Sequence, residues 1–204
     1  KPQDIEKRSF EIITAELGER TFRQAREVVK RVIHTTADFD YADSLAFSPD
    51  VIEKAKAALA AGATVVTDTN MALSGVSKVT LAKLGGKAVC LMADEQVASE
   101  AKLAVHTGGR FEEHAAKFEG PLLFAIGNAP TALIRLHELI EEGIVAPALV
   151  IGVPVGFVNV VEAKELFIGG DTPYIIARGR KGGSNVAASI VNALLYQMVH
   201  REGF

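Results

Sequence analysis

His34 and the run Gly179-Arg180-Lys181-Gly182-Gly183-Ser184 are the residues whose types and spacing best suit chemistry in this chain. Histidine titrates near neutral pH, so His34 is a candidate acid or base that Thr35, Thr36 or Asp38 would orient. The plainer alternative is a cation at the C-terminus of an amphipathic helix, where the helix dipole favours it. In the glycine-rich run, three glycines let the backbone approach a bound group and two cations favour an anion. Ser184 stands where it would cap the apolar helix that follows. A solvated basic loop is the alternative reading. The run is not the GxxxxGK[ST] phosphate loop, so phosphate has no specific support.

Two further turns carry polar groups. "GNAPTAL" (127–133) has Gly127 for the turn, Asn128 to cap or to point into a pocket, Pro130 for a first helical turn and Thr131 with a free hydroxyl. "GVPVGF" (152–157) has glycines and proline that fix a rigid turn, suited to a flat ligand. Neither matches the GxGxxG dinucleotide fingerprint. Asp68, at the end of an apolar run, either binds a ligand or closes a strand. His106, His114, His137 and His200 lack metal-ligand spacing, and His137 falls among Leu133, Leu136 and Ile140 as a packing residue would. Cys90 reads as core. No Ser/His/Asp arrangement is recognisable.

Composition narrows the function classes. The 204 residues are 49% hydrophobic and 23% charged, enough for one domain, 1–204, with a sizeable core. A net charge of −3, no tryptophan and three tyrosines argue against nucleic acid, so an anion site must be a local concentration of cations. One cysteine excludes an internal disulfide and a cysteine-based zinc site, and no metal site is expected. Neither a span of roughly 18 apolar residues nor a leader's apolar segment is present, so no membrane contact and a cytoplasmic protein are expected.

The elements that must position these residues alternate. "ATVVTD" (63–68), "KAVCLM" (87–92), "PLLFAIG" (121–127), "PALVIGV" (147–153) and "PYIIA" (173–177) read as strands buried on both faces. Helical patterns separate them, which implies an α/β fold with a mostly parallel sheet of about five strands and helices on both faces. Ser48-Pro49-Asp50 predicts a helix start with proline first and Gly62 just past the end. Asn159 with Glu162 resembles a capping box. The segments 5–17 and 22–34 read as amphipathic helices that cover the sheet or join a neighbouring subunit. In such sheets a ligand lies beyond the C-terminal strand ends, where the loops described above fall.

Taken in order, "RSFEII", "VIHTTAD", "FSPDVIEKAKAALAAGATVVTDTNM", "GNAPTAL", "VIGVPVGFVNVVEAKE" and "GRKGGS" resemble the precorrin-8X methylmutase family, over nearly the whole chain. The resemblance implies a Rossmann-like α/β sandwich acting as a homodimer, with its active site near the interface. It implies an isomerase of cobalamin biosynthesis that moves a methyl group from C11 to C12 of an anionic tetrapyrrole, giving hydrogenobyrinate or its cobalt form. The histidine of "VIH", here His34, would be the acid catalyst. Arg8 and Ser9 would lie near the ligand, with Arg110, Asn128, Thr131, Arg180, Gly182, Gly183 and Ser184 as further substrate-binding residues. The ring's acetate and propionate arms would replace phosphate as the anion: Arg180 would grip one carboxylate, and the amides of Gly182, Gly183 and Ser184 another. Met71, Leu73, Pro154, Val155 and Phe157 would line an apolar slot. No cofactor is implied, and cobalt, where present, belongs to the substrate. Two departures stand out: Thr107 and Arg110 are split by two glycines, and Ala163 replaces the serine of the family's "ESKE". A non-catalytic tetrapyrrole-binding protein of the same fold is the alternative function. A nucleotide-dependent enzyme is disfavoured by the missing phosphate motifs.

Overall fold

The computed structural model describes residues 2–20, 22, 25–90 and 120–199. The helices are α1 (Pro2–Leu17), α2 (Arg26–Thr36), α3 (Tyr41–Ser44), α4 (Val51–Ala60), α5 (Asn70–Gly75), α6 (Lys78–Lys83), α7 (Pro130–Glu141), α8 (Val160–Glu165) and α9 (Ser184–Met198). The strands are β1 (Leu45–Phe47), β2 (Thr64–Thr67), β3 (Lys87–Cys90), β4 (Leu122–Ile126), β5 (Leu149–Gly152) and β6 (Tyr174–Ala177). They form one sheet in the order β1-β6-β5-β4-β2-β3. Every pairing is parallel except β1 with β6, where Leu45 faces Ala177.

The expected α/β fold is therefore present, with the five expected strands and a sixth at the edge. That sixth strand, β1, has three residues and only one fully buried side chain, too little alternation to read from sequence. Along β4 the side chains alternate between two cores. Leu123 and Ala125 join the α2, α4 and α9 face, whereas Leu122, Phe124 and Ile126 join the α7 face with Leu133, Leu136 and Phe167. Apolar residues on both faces of a strand demand helices on both sides, which is what the chain supplies.

Helix α9 is the centre of the first layer. It packs on α2, α4, α5 and the sheet, and its small residues permit this: a Cβ at Gly75 would lie 2.7 Å from the Ala188 Cβ. The N-terminal helices form an outer layer over α9, with Val28, Val29, Val32 and Ile33 of α2 buried. Two expected helix starts are corrected. Asp50, in the left-handed region at φ +55°, is the N-cap of α4, so Pro49 lies outside the helix; the Ser48 hydroxyl instead accepts the Tyr174 amide at 2.9 Å. Asn159 precedes α8 at φ +57° without a side-chain cap bond, so no capping box forms there.

Candidate active site

The strand order reverses direction between β2 and β4, each of which starts a run of neighbours on its own side. Ligands of open parallel sheets sit at such a switch point. Here the crevice is closed from within. Asp68, buried at the end of β2, accepts the amides of Gly127 at 3.0 Å, Asn128 at 2.7 Å and Ala129 at 2.8 Å. The "GNAPTAL" turn thus spends its anion-binding amides on the protein's own carboxylate, while Asn128 and Thr131 remain exposed. Asp68 is a strand-closing residue.

The remaining turns interlock above it. A Cβ on Gly127 would lie 2.7 Å from the Ser184 Cα, so glycine is required for the two turns to touch. A Cβ on Gly182 would overlap the Val153 carbonyl oxygen. Gly183 donates its amide to that same oxygen at 2.8 Å, and Gly156 donates to the Arg180 carbonyl at 3.2 Å. The expected cap at Ser184 is corrected: Gly183 is the N-cap, and the Ser184 hydroxyl bonds the Thr69 hydroxyl at 2.8 Å. Thr69 in turn caps α5 by accepting the Ala72 amide at 3.1 Å. Of the three amides expected to meet an anion, Gly183's is engaged within the protein.

Beside this assembly lies a cleft of about 550 Å³, bounded by α1, α2 and α9 and lined by Glu6, Arg31, His34, Asn185, Ser189 and Tyr196, among others. His34 reaches it from the last turn of α2. Its ring stacks on Phe10 of α1, with centroids 4.9 Å apart and planes 14° from parallel. One turn earlier, Arg31 bonds Glu6 at 2.7 Å and lies over the Phe10 and Tyr196 rings, 4.6 and 5.3 Å from their centroids. Partial burial and the Arg31 charge hold the His34 pKa below its ordinary value, and Glu6 opposes them. Sequence reading missed Glu6, Phe10 and Arg31. The available signals were the i, i+3 spacing of Arg31 and His34 and the phenylalanine of "RSFEII".

Arg8 and Ser9, by contrast, are occupied locally on α1. Arg8 pairs with Glu11 at 3.1 Å, and the Ser9 hydroxyl donates to the Ile5 carbonyl at 2.9 Å. Arg180 is exposed, its guanidinium 5.4 Å from the centroid of the Phe157 ring. Phe157 and Met71 are themselves exposed, and Pro154 is buried. Lys181 joins the two halves of the site: its ammonium bonds Asp38 and Asp40, just past α2, at 2.6 Å each. Those bonds raise the Lys181 pKa and lower that of Asp38. Arg110, with Thr107, His106, His114 and His200, lies outside the described residues. Among the described residues no group of three His, Cys, Asp or Glu side chains is placed to hold a metal ion.

Comparison with known proteins now bears on this arrangement. The family model described as precorrin-8X methylmutase matches residues 4–197. The chain belongs to the precorrin-8X methylmutase family. The cobalt-precorrin-8 methylmutase of Salmonella typhimurium is 44% identical, covering 97% of this chain and 96% of that protein. The enzyme of the same name from Priestia megaterium is 43% identical over 95% of this chain and 87% of its own length. The crystal structure of the Thermus thermophilus precorrin-8X methylmutase superposes with a TM-score of 0.85 at 36% identity, covering 94% of this chain and 95% of that one. The fold is thus shared with that methylmutase over 94% of this chain.

Proposed function

We propose that the chain is an isomerase that shifts a methyl group from C11 to C12 of a precorrin-8-type tetrapyrrole in cobalamin biosynthesis, with His34 as acid. The observation that carries this reading is a single histidine, held by ring stacking in a cleft, beside a turn rich in cations and close-packed glycine. The chemistry requires little more. His34 would place a proton on the ring; the methyl group migrates within the conjugated system; loss of a ring proton restores the composition, so atoms balance without an oxidant or reductant. The cleft supplies orientation.

The depressed His34 pKa supports a role for the substrate itself. Burial and the neighbouring Arg31 charge both disfavour the imidazolium. An arriving ring carboxylate near Arg31 would offset that charge and favour the protonated acid. Arg180 and the nearby amides would hold other carboxylates. The cobalt-bearing ring is the substrate we favour, since the relatives at 44% and 43% identity are named for it.

A homodimer completes the proposal. A large flat macrocycle with several acetate and propionate arms needs walls on both faces, and the cleft between α1, α2 and α9 opens to solvent. Ile5 on its rim and Ile12 further along α1 expose apolar surface that a second copy would cover. Light scattering at micromolar concentration is expected to give twice the chain mass.

The deciding experiment is single-turnover conversion of cobalt-precorrin-8 by His34→Ala and His34→Asn, followed by absorbance. Both variants should bind the ring nearly normally and lose on the order of 10²–10⁴ in rate. Near-normal conversion by both would remove His34 from the mechanism. Binding without turnover by the unsubstituted protein would favour the non-catalytic alternative.

A further inference from the structure

Helix α8 carries a lysine where a core residue is expected. Lys164 is 0% exposed, and its Nζ donates to the carbonyls of Gly179 at 2.7 Å and Lys181 at 2.8 Å. Burying an ammonium is costly, and an apolar residue of similar length would fill the same space without that cost. The penalty is visible in its pKa, which burial lowers to about 8.

What the ammonium grips is informative. The two carbonyls flank Arg180, and the Arg180 carbonyl between them accepts the Gly156 amide at 3.2 Å. In a trans peptide the N–H of the next residue points opposite to the C=O. With the carbonyls of 179 and 181 turned inward onto Nζ, the amides of Arg180 and Gly182 are turned away from it. The ammonium also lies at the negative ends of those two peptide dipoles, so its charge polarises their N–H groups as donors. The Lys181 ammonium is engaged elsewhere, on Asp38 and Asp40, and Arg178 faces Glu165 at 3.5 Å.

We propose that Lys164 is a positioning residue for carboxylate recognition, holding the 179–182 backbone so that the Arg180 and Gly182 amides present to the carboxylate arms of the substrate. This rests on the reading of that turn as the site for ring carboxylates.

The test uses cobyrinic acid and its fully esterified methyl ester as probes, titrated by absorbance against folded protein. Lys164→Met is expected to bind the acid about ten-fold or more weakly while binding the ester within about two-fold of the unsubstituted protein. Lys164→Arg, which restores donors, should recover part of the loss. A Met variant that binds the acid normally overturns the proposal, as does one that loses acid and ester equally. Without any substitution, adding cobyrinic acid should shift the amide resonances of Arg180 and Gly182; unmoved resonances in a saturated complex overturn it as well. If the unsubstituted protein does not bind the acid at all, the carboxylate reading of the turn fails first and this inference with it.

Discussion

Replacing Asp68 by asparagine isolates the bond set that closes the switch point. One Asp68 oxygen accepts the Gly127 amide at 3.0 Å, and the other accepts Asn128 and Ala129 at 2.7 and 2.8 Å. Asparagine keeps one acceptor oxygen, so its NH₂ must face either the Gly127 donor or the other two. At least one charge-assisted bond, worth about 1.5–3 kcal/mol, is then lost, and a buried donor is left facing a donor. The retained bonds weaken because their acceptor becomes neutral. Relief from burying a charge offsets part of this, leaving a net loss of roughly 3 kcal/mol. For a domain of about this size each kcal/mol shifts Tm by roughly 2–4 °C, so a fall of about 6–12 °C is expected. Thermal unfolding by circular dichroism, with a urea titration alongside, measures it. A Tm within about 2 °C of the parent would refute the bond set as the element that holds the two turns together.

Gly182→Ala drives a Cβ into the Val153 carbonyl oxygen, and relief requires backbone movement; about 1–3 kcal/mol of destabilisation is expected in the same unfolding assays. Arg31→Met removes a charge that lowers the His34 pKa, so the imidazole titration followed by NMR should move upward from its position below 6.5. The folded parent holds fewer protons on His34 than the unfolded chain does, so this group's contribution to stability is present above about pH 6.5 and declines as pH falls through the folded pKa; the variant should show a weaker decline. Arg180→Ala should weaken binding of cobyrinic acid by about 1.5–3 kcal/mol if the contact is shielded from water, and added salt should erase the difference if it is exposed. Equal affinity at low salt would return that arginine to the solvated loop.

The fold was legible because its signals are local. Strands β2, β4, β5 and β6 are short apolar runs between glycine, proline or aspartate, and their burial on both faces follows directly. The helix starts were less legible, since Ser48, Asn159 and Ser184 each suit a cap by type. Ser48 and Ser184 spend their hydroxyls on Tyr174 and Thr69, 126 and 115 residues away, and Asn159 makes no cap bond. Spacing along the chain cannot anticipate such partners. The same holds for the site. His34 and the 179–184 run could be picked out as residue types, but the stacking of Phe10 on His34 depends on how α1 lies across α2. The Asp68 bonds to the next strand's turn likewise depend on β2 and β4 being neighbours.

Several of the chain's glycines take their meaning from one another. Gly127 admits Ser184, Gly182 admits Val153, and Gly183 closes on Val153 through its amide. The three turns therefore behave as one close-packed unit in which a displaced backbone has nowhere to go. That unit is tied to the histidine end of the cleft by charge, through Lys181 on Asp38 and Asp40, and by covalent continuity into α9, whose Asn185 and Ser189 line the cleft with His34. A change at the turn can reach His34 along either route. The first is an exposed pair, cheap to break and sensitive to salt; the second is a buried helix, stiff and indifferent to salt. If His34 is the acid proposed above, turnover that survives high salt while carboxylate affinity falls would identify the helix as the element that keeps His34 in register with the ligand.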